Sequence, residues 1–217
     1  MNITKSKFAK LAAGVALAGM ATFGVAACGS SSDNATHKLK PIASIDNLTG
    51  QSTAIKLDAG FVKALGSLKL TPGVIGTAKL TDGSLIFPIT GGNVSYFKPG
   101  TVSPYVIGQI QHVGSGLSLT AGGTTVSLTN FNVDPGVSRV YGDVSVNGKV
   151  AATDAYLFTL NGNTLMPLQK SGNTAILEGT KVFISPVAAG LLDSTFGTKA
   201  VTGSLLVGVA KITVNVG

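Results

Sequence analysis

The stretch VYGDVSVN, residues 140–147, decides the fold, because apolar residues or glycine occupy its even positions and mostly polar residues its odd ones. Residues 210–216 repeat this period, with apolar residues at the even positions and Lys211, Thr213 and Asn215 at the odd ones. A period of two places successive side chains on opposite faces of a strand. Strands with one apolar face are typical of antiparallel sheets that pack face to face.

Turn signals separate these alternating runs. The chain contains 29 glycines, and Gly and Asn supply the positive φ that tight hairpins need. We predict an all-β fold, an antiparallel β-sandwich of about ten strands with one or two short helices. The helices are expected where Asp58 and Ser185 serve as N-caps, the second with Pro186 at its first position. The turn dipeptides are Asp82-Gly83, Gly91-Gly92, Pro99-Gly100, Gly122-Gly123, Pro135-Gly136, Asn147-Gly148 and Asn161-Gly162.

Residues 1–27 have the order of an export signal. Lys5, Lys7 and Lys10 precede an apolar run that ends at Ala27, as in a signal peptide. The run continues into VAACGS, where small residues precede Cys28, the only cysteine of the chain. This order resembles the lipobox of bacterial lipoproteins, whose cysteine carries a diacylglycerol. We therefore expect cleavage before Cys28, and a lipid on its thiol that holds the protein at the extracytoplasmic face of the cell membrane.

The rest of the chain divides into a linker and a domain. Residues 28–41, CGSSSDNATHKLKP, are small and polar, and we interpret them as a flexible linker. No further Ser- or Pro-rich segment interrupts residues 42–217, so we predict a single domain there. A lone cysteine excludes disulfides within the chain, so burial and backbone hydrogen bonds must hold the fold.

The charge balance argues against nucleic acid as a partner. The formal net charge of +7 includes the three lysines of the export signal, and without them 13 basic residues face 9 acidic ones. Arg139 is the only arginine and the lysines are scattered. Nucleic-acid binding needs clustered basic side chains, so we expect no such partner.

The residue inventory also argues against catalysis. Glu178 is the only glutamate, and His37 and His112 are the only histidines, the first of them in the linker. No nucleophile elbow, zinc-protease helix, phosphate loop or dinucleotide fingerprint occurs. We expect no enzymatic activity, no catalytic residue and no metal site.

His112 is the main candidate for ligand binding. It follows the strand-like run YVIGQIQ at 105–111 and precedes the glycine-rich segment VGSG. A neutral imidazole is a good ligand for iron or zinc, and Tyr96, Tyr105 and Tyr141 are further candidates for a cofactor site. The alternative is a half-buried histidine that is hydrogen-bonded at a hairpin and binds nothing.

Three short motifs occur in a fixed order: SLIFP at 84–88, HVGSGLSL at 112–119 and VYGDVS at 140–145. In this order they resemble the HtaA-type domain of bacterial haem-uptake surface proteins. The resemblance implies a β-sandwich-like domain with little helix. It also implies haem binding through a tyrosine of an early helical segment, supported by the histidine of the second motif. His112 matches that histidine, but the segment FVKAL at 61–65 contains no tyrosine.

Together these observations predict a lipid-anchored cell-envelope protein that binds or adheres without catalysis, through an unidentified envelope ligand or partner protein. The alternative is a haem-binding surface protein that uses His112 with a nearby tyrosine; otherwise we expect no cofactor. A third hypothesis, an enzyme, would place an acidic or serine side chain against His112. A fourth is an adhesive module that self-associates through an exposed strand edge.

Overall fold

The computed structural model describes residues 39–216, so the predicted signal peptide, Cys28 and the linker through residue 38 lie outside the described residues. The described part contains two α-helices, α1 (Ala59–Ser67) and α2 (Pro186–Phe196), and a 3-10 turn at Gly162–Thr164. Its thirteen strands are β1 (Ala43–Ile45), β2 (Ser52–Leu57), β3 (Thr71–Gly76), β4 (Lys79–Thr81), β5 (Ser84–Pro88), β6 (Gly91–Tyr96), β7 (Val106–Ala121), β8 (Thr124–Asp134), β9 (Arg139–Val146), β10 (Lys149–Asn161), β11 (Gln169–Ser171), β12 (Thr174–Ile184) and β13 (Leu206–Asn215).

All these strands belong to one antiparallel sheet. Its order is β1-β6-β7-β8-β9-β10-β12-β13-β2-β5-β4, with β3 beside β7 and β11 beside β12. The sheet curls, so that β5 contacts β7 although the two are far apart in the strand order. The prediction of an all-β antiparallel fold is confirmed. The two facing layers of the predicted sandwich are parts of one continuous sheet, and the three-residue strands β1, β4 and β11 raise the strand number within residues 39–216 above the predicted one.

β7 is the longest strand of the described residues, and three strands pair with it. Its first half pairs with β6 and its second half with β3, while β8 follows it along the other side. The pairing with β8 is shifted by a bulge between His112 and Gly116. A Cβ on Gly116 would overlap the carbonyl oxygen of Leu128, so only glycine lets the two backbones approach at this point. The glycine-rich second motif therefore places His112 at the bulge.

The helices cover one end of the curled sheet. Asp58 accepts hydrogen bonds from the backbone N–H groups of Gly60 and Phe61, and Ser185 accepts one from that of Ala188. Both predicted N-caps are therefore confirmed. α1 contacts β3 and β13, whereas α2 contacts β8 and β10, and the buried faces of both helices join the hydrophobic core. Neither helix within residues 39–216 is long and apolar enough to cross a membrane.

Candidate functional site

An interior cavity of about 730 Å³ lies inside the curl of the sheet. β6 to β10 line it on one side, and β2, β5, β12 and β13 line it on the other. The lining is mostly aliphatic and aromatic, because the inward positions of the alternating strands face it. Cavities of roughly 300–1,000 Å³ hold small-molecule ligands in proteins, and this one falls within that range.

Aromatic rings and one hydrogen-bonded pair form the floor of the cavity, next to the core beneath the helices. Phe131 packs edge to face against Phe87 and Phe158, with ring centroids 5.1 and 5.9 Å apart. His112 lies beside these rings and is only 1% exposed. Its Nδ1 lies 3.2 Å from the carbonyl oxygen of Phe131, and its Nε2 lies 2.9 Å from Oγ1 of Thr53. β7 and β2 are therefore joined across the floor.

Both ring nitrogens of His112 are occupied. A carbonyl oxygen only accepts, so Nδ1 carries the proton and donates to Phe131, and Nε2 accepts from the hydroxyl of Thr53. Burial lowers the pKa of His112 to about 4, against the opposing effect of hydrogen bonds to the backbone of Phe131 and Ile110. The imidazole is therefore neutral at pH 7. No carboxylate or serine hydroxyl within residues 39–216 is hydrogen-bonded to the ring, so the described residues assemble no Ser-His-Asp arrangement at His112.

The rim of the cavity, at the end opposite the floor, carries exposed polar residues. Ser44, Ser103, Asn163 and Lys170 are exposed and line the opening. Lys170 is the only charged side chain among the described residues that line the cavity, and none of these lining residues is acidic. The rim is therefore weakly basic, whereas most of the walls are apolar and the polar pair of the floor, His112 and Thr53, is hydrogen-bonded.

Two of the candidate tyrosines also lie at the rim. Tyr96 and Tyr105 both line the cavity, and their rings pack edge to face with centroids 5.7 Å apart. Burial and the neighbouring Tyr96 raise the pKa of Tyr105, so its hydroxyl stays protonated. Tyr96 pairs with Val106, six residues before His112 on β7, which corresponds to about 20 Å of strand. The structure therefore places these tyrosines and His112 at opposite ends of the same cavity.

The third tyrosine, Tyr141, does not line the cavity. It lies on the other face of β9, where its ring centroid is 6.1 Å from that of Tyr156. The guanidinium of Arg139 lies 4.5 Å from the centroid of the Tyr156 ring, in a cation–π arrangement. Tyr141 thus belongs to an aromatic and cationic cluster on the outer face of the sheet.

The residues present do not fit a haem held in the way that the HtaA resemblance implies. α1 contains no tyrosine, and Thr53 supplies the hydroxyl that contacts the His112 ring. Metal–ligand bonds are about 2 Å long. Tyr96 and Tyr105, about 20 Å of strand away from His112, therefore cannot share one iron with it.

Sequence reasoning missed Thr53 and Lys170. Thr53 alternates with Ile55 and Leu57 along β2, so its side chain points to the same inner face of the sheet. A polar side chain at such a position needs a buried hydrogen-bonding partner, and this could have identified Thr53 from the sequence. Lys170 lies in the short edge segment QKS of β11. Nothing in that segment distinguishes it from any surface lysine.

The same fold occurs in known structures. The C-terminal domain of HtaA from Corynebacterium glutamicum is similar with a TM-score of 0.54 and 14% identity, over 79% of this chain and 99% of that domain. The N-terminal domain of HtaA from the same organism is similar with a TM-score of 0.52 and 11% identity, over 78% of this chain and 98% of that domain. No protein-family model and no curated protein matches the sequence. The chain therefore has an HtaA-like domain fold, as the three motifs predict, and identities this low establish the fold alone.

Proposed function

We propose that this chain is a non-enzymatic binding protein of the cell envelope, and that it holds a small, largely apolar molecule inside its curled sheet. The cavity of about 730 Å³ is the observation that carries this proposal. Protein interiors normally pack as densely as organic crystals. An open apolar space of this size is therefore better explained as a ligand site than as part of the core.

An apolar ligand would bury side chains of the cavity walls that are now partly exposed to water. Leu160, Leu177 and Ile212 face inward but are only half-buried. A bound apolar molecule would cover them, and each Å² of apolar surface removed from water contributes about 25 cal/mol. Because His112 and Thr53 satisfy each other, covering the floor would break no hydrogen bond to water.

The cell-envelope location rests on the predicted lipidation of Cys28, and the membrane is then the partner that the lipid contacts. The Cys28→Ser variant should lose all labelling when cells are fed an alkyne-tagged fatty acid, since serine offers no thiol for the thioether. The unmodified chain, expressed in parallel, is the reference. Undiminished labelling of the serine variant would contradict the predicted lipidation of Cys28.

The neutral dye N-phenyl-1-naphthylamine, which brightens in apolar surroundings, tests the cavity. Leu177→Trp should place an indole inside the cavity and weaken dye binding about tenfold or more, which corresponds to about 1.4 kcal/mol. Ile176→Trp is the matched control, because Ile176 immediately precedes Leu177 on β12 and does not line the cavity. It should bind the dye as the unmodified chain does. Equal effects of the two variants, with both shown to be folded by thermal unfolding, would contradict the proposal.

Haem binding is the second candidate, favoured by the position of His112 at the cavity floor and by the HtaA-like fold. It requires Nε2 of His112 to be released from Thr53. A haemin titration decides between the two candidates: a saturable Soret band that is lost in His112→Ala would support haem. If the leading proposal is correct, haemin should give the same absorbance change with the unmodified chain and with His112→Ala.

A further inference from the structure

We propose that the ligand is a single-chain amphiphile with an anionic head group, whose chain lies along the cavity and whose head group lies at Lys170. This inference rests on the proposed function, because it names the class of molecule that the cavity holds. The shape of the cavity, the composition of its walls and the placement of charge around it carry the inference independently of His112.

The shape favours a long, narrow molecule. From Val106 at the rim to His112 at the floor, β7 extends for about 20 Å, and both residues line the cavity. The facing layers of packed sheets are about 10 Å apart. The cavity is thus deeper than the gap between its layers, which suits an extended chain.

The walls favour a chain without polar atoms. Between rim and floor they consist mainly of aliphatic side chains such as Ile110, Val133 and Val182. Thr180 and the half-buried Ser138 are the polar exceptions there among the described residues. A polar group buried without a hydrogen-bonding partner costs about 1–3 kcal/mol in proteins. A ligand with polar groups along its length would meet this cost repeatedly, whereas an alkyl chain would not.

The placement of charge sets the orientation and the sign of the head group. Lys170 is at the rim and is the only charged side chain among the described residues that line the cavity. Tyr105 also lines the cavity, and its hydroxyl is protonated. An ammonium and a hydroxyl at the solvent boundary can donate to an anionic oxygen while it remains partly hydrated. A carboxylate and a phosphate share this chemistry, so a fatty acid and an alkyl phosphate are the two forms to compare.

The experiment measures displacement of N-phenyl-1-naphthylamine from the full chain by palmitate, hexadecyl phosphate and hexadecanol, below their micellar concentrations. At least one of the two anions should compete more tightly than the uncharged alcohol, and the tighter anion identifies the head group. Lys170→Glu should weaken that anion about fivefold, the upper range for a solvent-exposed ion pair, and leave hexadecanol unchanged. Lys149→Glu makes the same charge change at an exposed residue that does not line the cavity, and it should alter neither.

The outcomes separate this inference from the proposed function. If the dye binds but none of the three compounds displaces it, the amphiphile is excluded and a binding cavity remains. If the dye does not bind, the proposed function itself fails. The anionic head group is overturned if hexadecanol competes as well as both anions. It is also overturned if Lys149→Glu weakens the anions as much as Lys170→Glu does.

Discussion

The protonation state of His112 follows from its surroundings. In water an imidazole carries a proton about half the time near pH 6.5, but here the ring is 1% exposed and has one donor and one acceptor in contact with it. A second ring proton would face the oxygen of Thr53, which already donates to that nitrogen in the neutral state. Protonation therefore costs both desolvation and a rearranged hydrogen bond, so the neutral form is the one that the folded structure favours.

This arrangement predicts acid sensitivity with a definite sign. The unfolded chain takes up the His112 proton near pH 6.5, whereas the folded chain takes it up only near pH 4. The unfolded state binds more protons between these values, so the contribution is fully present above pH 6.5 and is lost as pH falls toward 4. The free energy of unfolding, measured with denaturant, should fall by about 3 kcal/mol over this window through His112 alone. His112→Gln should show a flatter profile, and identical profiles would contradict the assigned cause.

The bulge in β7 depends on one close backbone approach. Gly116 does not have a positive φ, so what excludes an alanine there is contact with β8: the added Cβ would overlap the carbonyl oxygen of Leu128 and crowd Cα and Cγ2 of Thr129. Because β8 also carries Phe131, which accepts the hydrogen bond from His112, separating the two strands would disturb the cavity floor. The glycine of the second motif thus maintains the geometry of the candidate site.

A pair of glycine substitutions tests this reading. Gly116→Ala should lower the free energy of unfolding by at least about 2 kcal/mol, since the backbone contact cannot be relieved by a side-chain rotation. Gly190→Ala is the comparison variant, because Gly190 lies inside α2 and a Cβ added there would meet nothing within 4 Å. It should raise stability by about 0.5–1 kcal/mol because alanine is the better helix former. Denaturant unfolding of both variants gives the answer, and a neutral Gly116→Ala would show that the strands can separate freely.

The features that could be predicted from sequence are those encoded by neighbouring residues. The N-caps at Asp58 and Ser185 and the two-residue alternation at 140–147 depend on contacts within a few positions, and the structure confirms them. The contact between Thr53 and His112 joins residues 59 positions apart. It exists only because the sheet curls, and strand order is not written in any local pattern. The cavity and the position of Lys170 were unpredictable for the same reason.

Because the sheet curls, the two ends of its interior differ in how they are closed. Toward the helices the interior is closed by side chains from α1, α2 and the strand ends. Toward the rim the same alternating strands continue without helices above them, and their inward leucines remain half-buried. One sequence period thus produces a packed core at one end and an open, mostly apolar cavity at the other. The core and the cavity are enclosed by the same continuous sheet.

The strand order also bears on self-association, because a sheet that does not close on itself ends in edge strands. The strands at the two ends of the strand order, β1 and β4, have three residues each, and short edges with a lysine such as Lys79 are poor templates for pairing with another chain. Among the described residues, β3 and β11 also have one unpaired edge each; β11 is equally short, and β3 contains Pro72, which removes a backbone donor. We therefore expect the Cys28→Ser protein, which lacks the proposed lipid, to sediment with the mass of one chain across a hundredfold range of concentration. Lys79→Val should favour association by removing the edge charge, and it serves as the positive comparison. A mass that rises with concentration in the parent protein would instead support an adhesive role through this edge.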